Sequence, residues 1–286
     1  MNNRLSERAM LADLSISYWE GRRKDTKLSE NVRLSANATR DAGDWWTKII
    51  PPSELKDISR AISRGRSIHA SYTLPWKDGG LRILPADMYL QYTKDMRAAK
   101  EGYIQAVEAF LGRYPLLVDQ ARERLGDLYE GGVYPEIHAL RAKFGWVVEI
   151  SPLPDAGDFR VDLGAEQTER LRANIEEQLN RTMASSMRDL WKRLHTVISH
   201  VAERLDHPEN TFRDSLIRNV ATLCDLLPKL NISGDPALEE MREKIVQKIA
   251  AQDPEVLRRD DTARALAKTS ADRILKDMAP YIGEGK

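Results

Sequence analysis

The stretch from Ala165 to Leu205 constrains the fold more than any other part of the chain. Apolar residues recur there as Leu171, Ile175, Leu179, Met183, Met187, Leu190, Leu194, Val197, Val201 and Leu205, in steps of mostly four with some threes. That is the spacing of one continuous helical stripe. No Pro or Gly interrupts it before Asp206-His207-Pro208. A helix of about 40 residues at ~1.5 Å rise is roughly 60 Å long. A rod of that length overshoots a single small core, so the sequence predicts that it pairs with other long helices.

The rest of the chain supplies them. Residues 86–110 carry Met88, Tyr92, Met96, Ala99, Tyr103, Val107 and Phe110 in helical register, and Pro115 predicts a kink or break near Arg113-Tyr114. Thr211 to Leu227 reads as another helix, ended by Pro228. Asp235-Pro236 and Asp253-Pro254 each place a capping carboxylate before a Pro at the first helical position. A last charged helix is predicted over about Thr262 to Met278. Nearer the start, residues 27–50 read as a helix reaching Trp45-Trp46, Pro51-Pro52 breaks the chain, and a helix with Leu55, Ile58, Ile62 and Ile68 follows.

Three segments break the helical pattern. Leu14, Ile16 and Tyr18 alternate with Ser15, Ser17 and Trp19 as in a short strand. Tyr72 to Pro85 holds Pro at both ends and Asp78-Gly79-Gly80, which suits a tight turn between Trp76 and Leu81; it reads as a loop or short hairpin that docks its aromatics onto the bundle, with a binding loop as the functional alternative. Residues 144–163 alternate on both sides of a turn-rich SPLPDAGD link and predict a β-hairpin, with a third strand available from residues 13–19. The expected fold is therefore mainly α with a small β-hairpin or sheet (α+β), an elongated antiparallel long-helix bundle. Its expected division is 1–85, an N-terminal helical segment with a strand and aromatic loop, and 86–286, the bundle with the hairpin inserted. One continuous domain is the alternative.

Composition bounds the setting. Hydrophobic residues make up 42% and charged residues 31% of 286, enough apolar material for a sizeable core. No apolar run approaches the ~18 residues a bilayer span needs, and MNNRLSERAM lacks an apolar secretory segment. Cys224 is the single cysteine, so no intramolecular disulfide forms and a reducing, cytoplasmic location is expected. Residues 1–100 hold 18 Lys+Arg against 12 Asp+Glu, and the remainder 26 against 32. That mild asymmetry is weaker than the basic cluster typical of nucleic-acid binders.

Catalytic motifs are absent: no P-loop, GxSxG, HExxH or GxGxxG after a strand occurs. No cofactor is implied. His200, Glu203 and His207 share one helix face at ligand spacing, but they read as ordinary surface and helix-end residues, His207 favoured there by the helix dipole, and no metal is expected. Cys224 lies on an apolar helix face and reads as a structural thiol. The candidate interaction residues are Trp19, Arg22, Arg23 and Lys24, joined by Trp76, Asp78 and Arg82 of the 72–85 segment. With Lys27, Trp45 and Trp46, the first group forms a potential phosphate-and-base surface. The plainer reading makes those tryptophans core anchors.

Several strings in this chain are distinctive together: ISYWEGRR at 16–23, TLPW at 73–76 with GLRILP at 80–85, DFRV at 158–161, and FRDS at 212–215 with CDLLP at 224–228. They resemble an uncharacterised family of tailed-phage, prophage and mobile-element proteins, a domain of unknown function, over nearly the whole chain. The resemblance implies gene neighbours such as AAA ATPases and von Willebrand A-like proteins. It carries over no catalytic residue. The expected function is a non-enzymatic helical protein acting through protein–protein contacts or self-association, in an assembly or adaptor role. Alternatives are a nucleic-acid-binding accessory factor in phage DNA metabolism and an inhibitor of a host defence system. The expected contact surfaces are the 72–85 loop, the hairpin tip around Pro152–Asp158 and an exposed stripe of the long helix. No membrane or small-molecule partner is indicated.

Overall fold

A computed structural model describes residues 5–76, 80–154, 165–206 and 213–283. In chain order the elements are α1 (Leu5–Arg8), β1 (Ala9–Ser17), β2 (Arg22–Lys24), α2 (Thr26–Ser35), β3 (Trp46–Lys48), α3 (Lys56–Tyr72), β4 (Leu74–Pro75), β5 (Arg82–Pro85), α4 (Tyr89–Leu125), α5 (Ile137–Arg141), β6 (Gly145–Pro152), α6 (Ala165–Asp206), α7 (Asp214–Leu230), α8 (Pro236–Ile245), α9 (Pro254–Arg259) and α10 (Asp261–Ile282). The protein is mainly α with a small antiparallel sheet, as the patterning predicts. One sheet runs β4-β5-β1-β6 and a two-stranded ladder pairs β2 with β3. Among the described residues no helix is long and apolar enough to cross a membrane.

Packing divides the chain into two compact units, each built from separated segments: residues 1–13, 70–92 and 149–286 in the first, 14–69 and 93–148 in the second. The expected division at residue 85 follows contiguous sequence, whereas these units follow strands and helices that pass from one to the other.

In the first unit α6 and α10 are antiparallel partners. Trp191 stacks on Tyr281 at 4.2 Å and 10° near one end. At the other end Arg264 of α10 donates to the carbonyls of Arg204 and Leu205, in the last turn of α6. Those carbonyls have no partner inside their own helix, and a buried guanidinium supplies it. Leu190, Leu194, Ile198, Val201 and Leu205 face Ala267, Ala271, Ile274 and Met278 in the core, with Leu216, Val220 and Leu227 of α7 and Leu238, Met241 and Ile245 of α8. The last helix continues past the predicted end at Met278, through Pro280 to Ile282, and Tyr281 in that added turn is the residue that stacks on Trp191.

Also in this unit, β5 pairs antiparallel with β1 (Leu11 opposite Ile83) and with β4 (Leu74 opposite Ile83). Pro75 sits on the sheet edge, where its missing N–H is harmless. The 145–152 half of the predicted hairpin is present as β6, on the far side of β1. Residues 155–163, its second half, lie outside the described residues.

In the second unit α4 runs through Pro115 without a break. Phe110, Leu111, Tyr114 and Leu117 on both sides of the proline are buried, so tertiary packing holds the helix where the local rule predicts interruption. Gly65 of α3 lets the Trp146 indole of β6 lie against the helix; a Cβ there would come within 2.1 Å of the ring.

Candidate functional site

The site belongs to the second unit and begins with Asp25. This carboxylate is buried and caps α2 by accepting the Leu28 amide at 3.0 Å. Its other oxygen accepts from Thr47 of β3 at 3.3 Å and pairs with Arg23 at 3.4 Å. Ser29, one turn into α2, donates to the Asp25 carbonyl and accepts the Trp45 amide at 2.8 Å. A few short polar side chains thus tie strand, helix and returning loop together. Gly21 makes the turn into β2 at φ +63, where a side chain would also press on Ile50 and Leu55 at 3.1 Å.

The predicted helix over 27–50 ends early, at Ser35. Asn37 adopts φ +49 and Gly43 φ +156, and the run of Asn, Thr, Asp and Gly beyond Ala36 prefers turns to helix. The chain from Leu34 to Trp46 is exposed at every residue. It is nevertheless braced. The Arg33 guanidinium donates to the Arg40 carbonyl (3.4 Å), the Gly43 carbonyl (3.1 Å) and Asp44 (3.3 Å). Lys24 pairs with the same Asp44 at 2.6 Å, and the Lys24 contact holds that carboxyl below its usual range.

This loop presents Trp45 and Trp46, each 48% exposed, beside Leu34 at 69% and Val32 at 45%. Val32, Ala36, Ala38, Ala42 and Trp45 wall a slot of about 260 Å³ between α2 and the loop. It opens beside a larger polar cleft of about 530 Å³, whose lining includes Lys24, Glu30, Arg33, Leu34, Arg40 and Asp44.

The basic run is placed with this face but is largely neutralised. Arg22 lies over the Trp46 ring at 5.0 Å and pairs with Glu20. Arg23 pairs with Glu130 at 2.8 Å as well as with Asp25. Trp19 is half-buried, at 6.2 Å from Phe110 and edge-on to Tyr114 at 5.9 Å. It behaves as the core anchor of the plainer reading, whereas Trp45 and Trp46 do not.

The other expected contact residues fall in the first unit. Trp76 is buried, and its amide donates to the Leu81 carbonyl at 3.2 Å. Arg82 donates to the Thr73 hydroxyl at 2.6 Å and its carbonyl at 3.1 Å. Arg193 of α6 also donates to the Thr73 carbonyl (2.8 Å), and to that of Ala70 (2.9 Å). Burial, and then the neighbouring Arg193 charge, lower the Arg82 pKa. Ser186 donates to the Pro75 carbonyl at 2.6 Å. The described part of 72–85 is a short hairpin with Trp76 docked and with its strands fastened to α6, the hairpin form of the expected segment. Asp78 lies outside the described residues, as do residues 155–158 of the expected hairpin tip, whereas Leu153 at its start is buried.

His200 and Glu203 line an open cleft between α6 and α7 with His195, Ser199 and Asn219; His207 lies outside the described residues. Among the described residues no three His, Cys, Asp or Glu side chains are grouped to hold a metal ion. The Cys224 thiol is buried, which pushes its pKa up to about 11. Comparison of the chain with protein-family models, curated proteins and solved structures finds no match.

Proposed function

We propose that this chain is a non-enzymatic binding protein that works through protein–protein contacts, with Trp45, Trp46 and the Arg33-braced loop as its contact face. The observation that carries the reading is the pair of half-exposed tryptophans on an ordered platform. Aromatic area left in water forgoes roughly 25 cal/mol per Å². Clustered exposed apolar groups on a fixed loop mark interaction surfaces, and Trp is enriched among binding hot spots.

The alternative of a nucleic-acid factor is disfavoured by the pairing of Arg22, Arg23 and Lys24 with Glu20, Glu130 and Asp44. A phosphate would have to displace those carboxylates. The phage or mobile-element origin, with an assembly or adaptor role beside an AAA ATPase system, is the setting we propose on the resemblance of the sequence strings. An intracellular place of action is proposed on the single, buried cysteine.

The test is a photo-crosslinking amino acid introduced at position 46 in expressing cells, with position 128 as an exposed control site. A discrete, nuclease-resistant adduct from 46 and none from 128 is expected. No adduct, or one that nuclease removes, would sink the reading. The identity of the adduct then separates an assembly partner from a host enzyme held by an inhibitor.

A further inference from the structure

We propose that the exposed face of α3 is a second contact surface, which takes the phosphate backbone of double-stranded nucleic acid without regard to sequence. It uses none of the residues of the Trp45–Trp46 face and stands apart from the protein-contact reading.

Three observations carry it. The first is charge. α3 buries Ile58, Ile62, Gly65 and His69 and turns its opposite side to solvent. That side carries Lys56, Arg60, Arg64 and Arg66 against one carboxylate, Asp57, and each of these residues is exposed. Asp57 pairs with Arg60 at 3.1 Å. Among the described residues Lys56, Arg64 and Arg66 form no ion pair.

The second is that this charge works against the helix. On other helices a carboxylate stands one turn from an exposed base: Arg170 with Glu166, Arg181 with Glu177, Lys244 with Glu240 and Lys268 with Asp272. On α3 Lys56, Arg60 and Arg64 occupy successive turns, and like charges at that spacing repel. Lys56 also stands in the first turn, at the positive end of the helix dipole. Folding gains nothing from this arrangement, whereas a polyanion laid along it removes the repulsion.

The third is a set of hydroxyls. Thr196, Thr222, Thr269 and Ser270 each turn their hydroxyl back onto the carbonyl four residues earlier. Ser59, Ser63 and Ser67 lie among the cations of α3 and, among the described residues, donate to no protein group. Arg, Lys and Ser are side chains that contact phosphate oxygens.

The make-up of the face selects the partner. It has no aromatic on which single-stranded bases would stack, and none of the aromatic anchors of a protein interface core. The apolar side that a membrane-surface helix needs is buried in the fold. From Lys56 to Arg66 the helix rises about 15 Å, and a duplex presents one charge per ~1.7 Å of its axis, a denser field than either strand alone.

The experiment is fluorescence anisotropy of the full chain with a labelled duplex of arbitrary sequence, as DNA and as RNA, at about 50 and 200 mM salt. Single strand of the same length and poly-glutamate are the comparison ligands. The three cations without a carboxylate partner imply a slope of about −2.7 in log K against log salt, so binding should weaken about 40-fold across that range. Arg64→Gln should reduce the slope by about one and leave the thermal midpoint equal or higher, because it removes a like-charge pair. Arg170→Gln, on α6, should change neither slope nor affinity. Binding of either duplex on these terms supports the assignment, and the tighter of the two names the source. No duplex binding at the lower salt, a slope that Arg64→Gln and Arg66→Gln leave unchanged, tighter binding of the single strand, or equal binding of poly-glutamate overturns it. None of these results decides the position-46 crosslink, which reports on other residues.

Discussion

Gly65→Ala should destabilise the protein although alanine is the better helix former. Gly65 lies within α3, and alanine there gains about 1 kcal/mol of helix propensity. The added Cβ, however, would lie 2.1 Å from Cη2 of Trp146 and 2.9 and 3.0 Å from Cζ2 and Cζ3. Ordinary carbon contact begins near ~3.5 Å, so the ring must retreat by more than an ångström. It has little room: Trp146 is 7% exposed and its ring lies 5.4 Å from that of Tyr103. Overpacking costs about 1–3 kcal/mol, and a gap this short belongs at the upper end. The expected net loss is therefore about 2 kcal/mol. Urea unfolding followed by circular dichroism should show a lower midpoint with an unchanged slope. The companion is Trp146→Leu, which removes the three atoms concerned and an indole N–H that is buried without a partner. In that background Gly65→Ala should become neutral or stabilising by up to about 1 kcal/mol. If Gly65→Ala is harmless in the native background, or equally costly in both, the close packing of helix on indole is not what requires glycine.

The buried phenols of Tyr92, Tyr103 and Tyr114 are each pushed up to about 12 from 10.0, chiefly by burial. Their folded form favours the proton, so this stability is whole below pH 10.0 and is lost as pH rises towards 12, by about 1.4 kcal/mol per pH unit for each. Tyrosinate absorbance of these three should appear together with unfolding. Titration of all nine tyrosines with the fold intact would contradict it. Arg264→Met keeps the stem but leaves the Arg204 and Leu205 carbonyls without its hydrogen bonds. A loss of about 2–3 kcal/mol is expected, and a thermal midpoint equal to the parent's would refute the helix-end role. Cys224 should react with a thiol reagent only as fast as the protein opens, because its thiol is buried and its pKa raised; rapid modification of the native protein would count against that burial. Arg33→Ala should leave global unfolding within about 0.5 kcal/mol of the parent while exposing 36–45 to limited proteolysis.

Much of the helical scaffold was legible because burial leaves a period in the sequence. The stripe Leu190, Leu194, Val201 and Leu205 announces α6, and Asp235 and Asp253 announce the starts of α8 and α9 with cap bonds of 2.9 and 2.8 Å. The candidate face was harder to read. Helical spacing through Leu28, Val32 and Ala36 was extended to Trp46 although Asn37, Thr39, Asp41 and Gly43 all favour turns. A usable signal was present in the tryptophan pair itself. Adjacent side chains point to opposite faces of a strand, so Trp45 and Trp46 cannot both enter a one-sided core. Trp76 reads as an aromatic docked by a Pro-flanked loop or short hairpin, and it is buried; what the pattern does not show is the fastening by Arg82, Arg193 and Ser186. Those bonds come from residues up to 120 positions away, beyond the reach of local pattern.

The order of the 36–45 loop is the point on which the functional reading turns. Fixing a residue's backbone costs about 1–2 kcal/mol, and here the usual repayment through apolar burial is missing, because every residue of the loop is exposed. Order is supplied locally instead, by Arg33 on two carbonyls and Asp44, by Ser29 on the Trp45 amide, and by Asp25 beneath both. Sequestering the tryptophans in the core would have been the simpler arrangement for stability alone. Holding them outward on a loop already fixed in shape does something different: a partner that meets them loses little further loop entropy, so more of the contact energy appears as affinity.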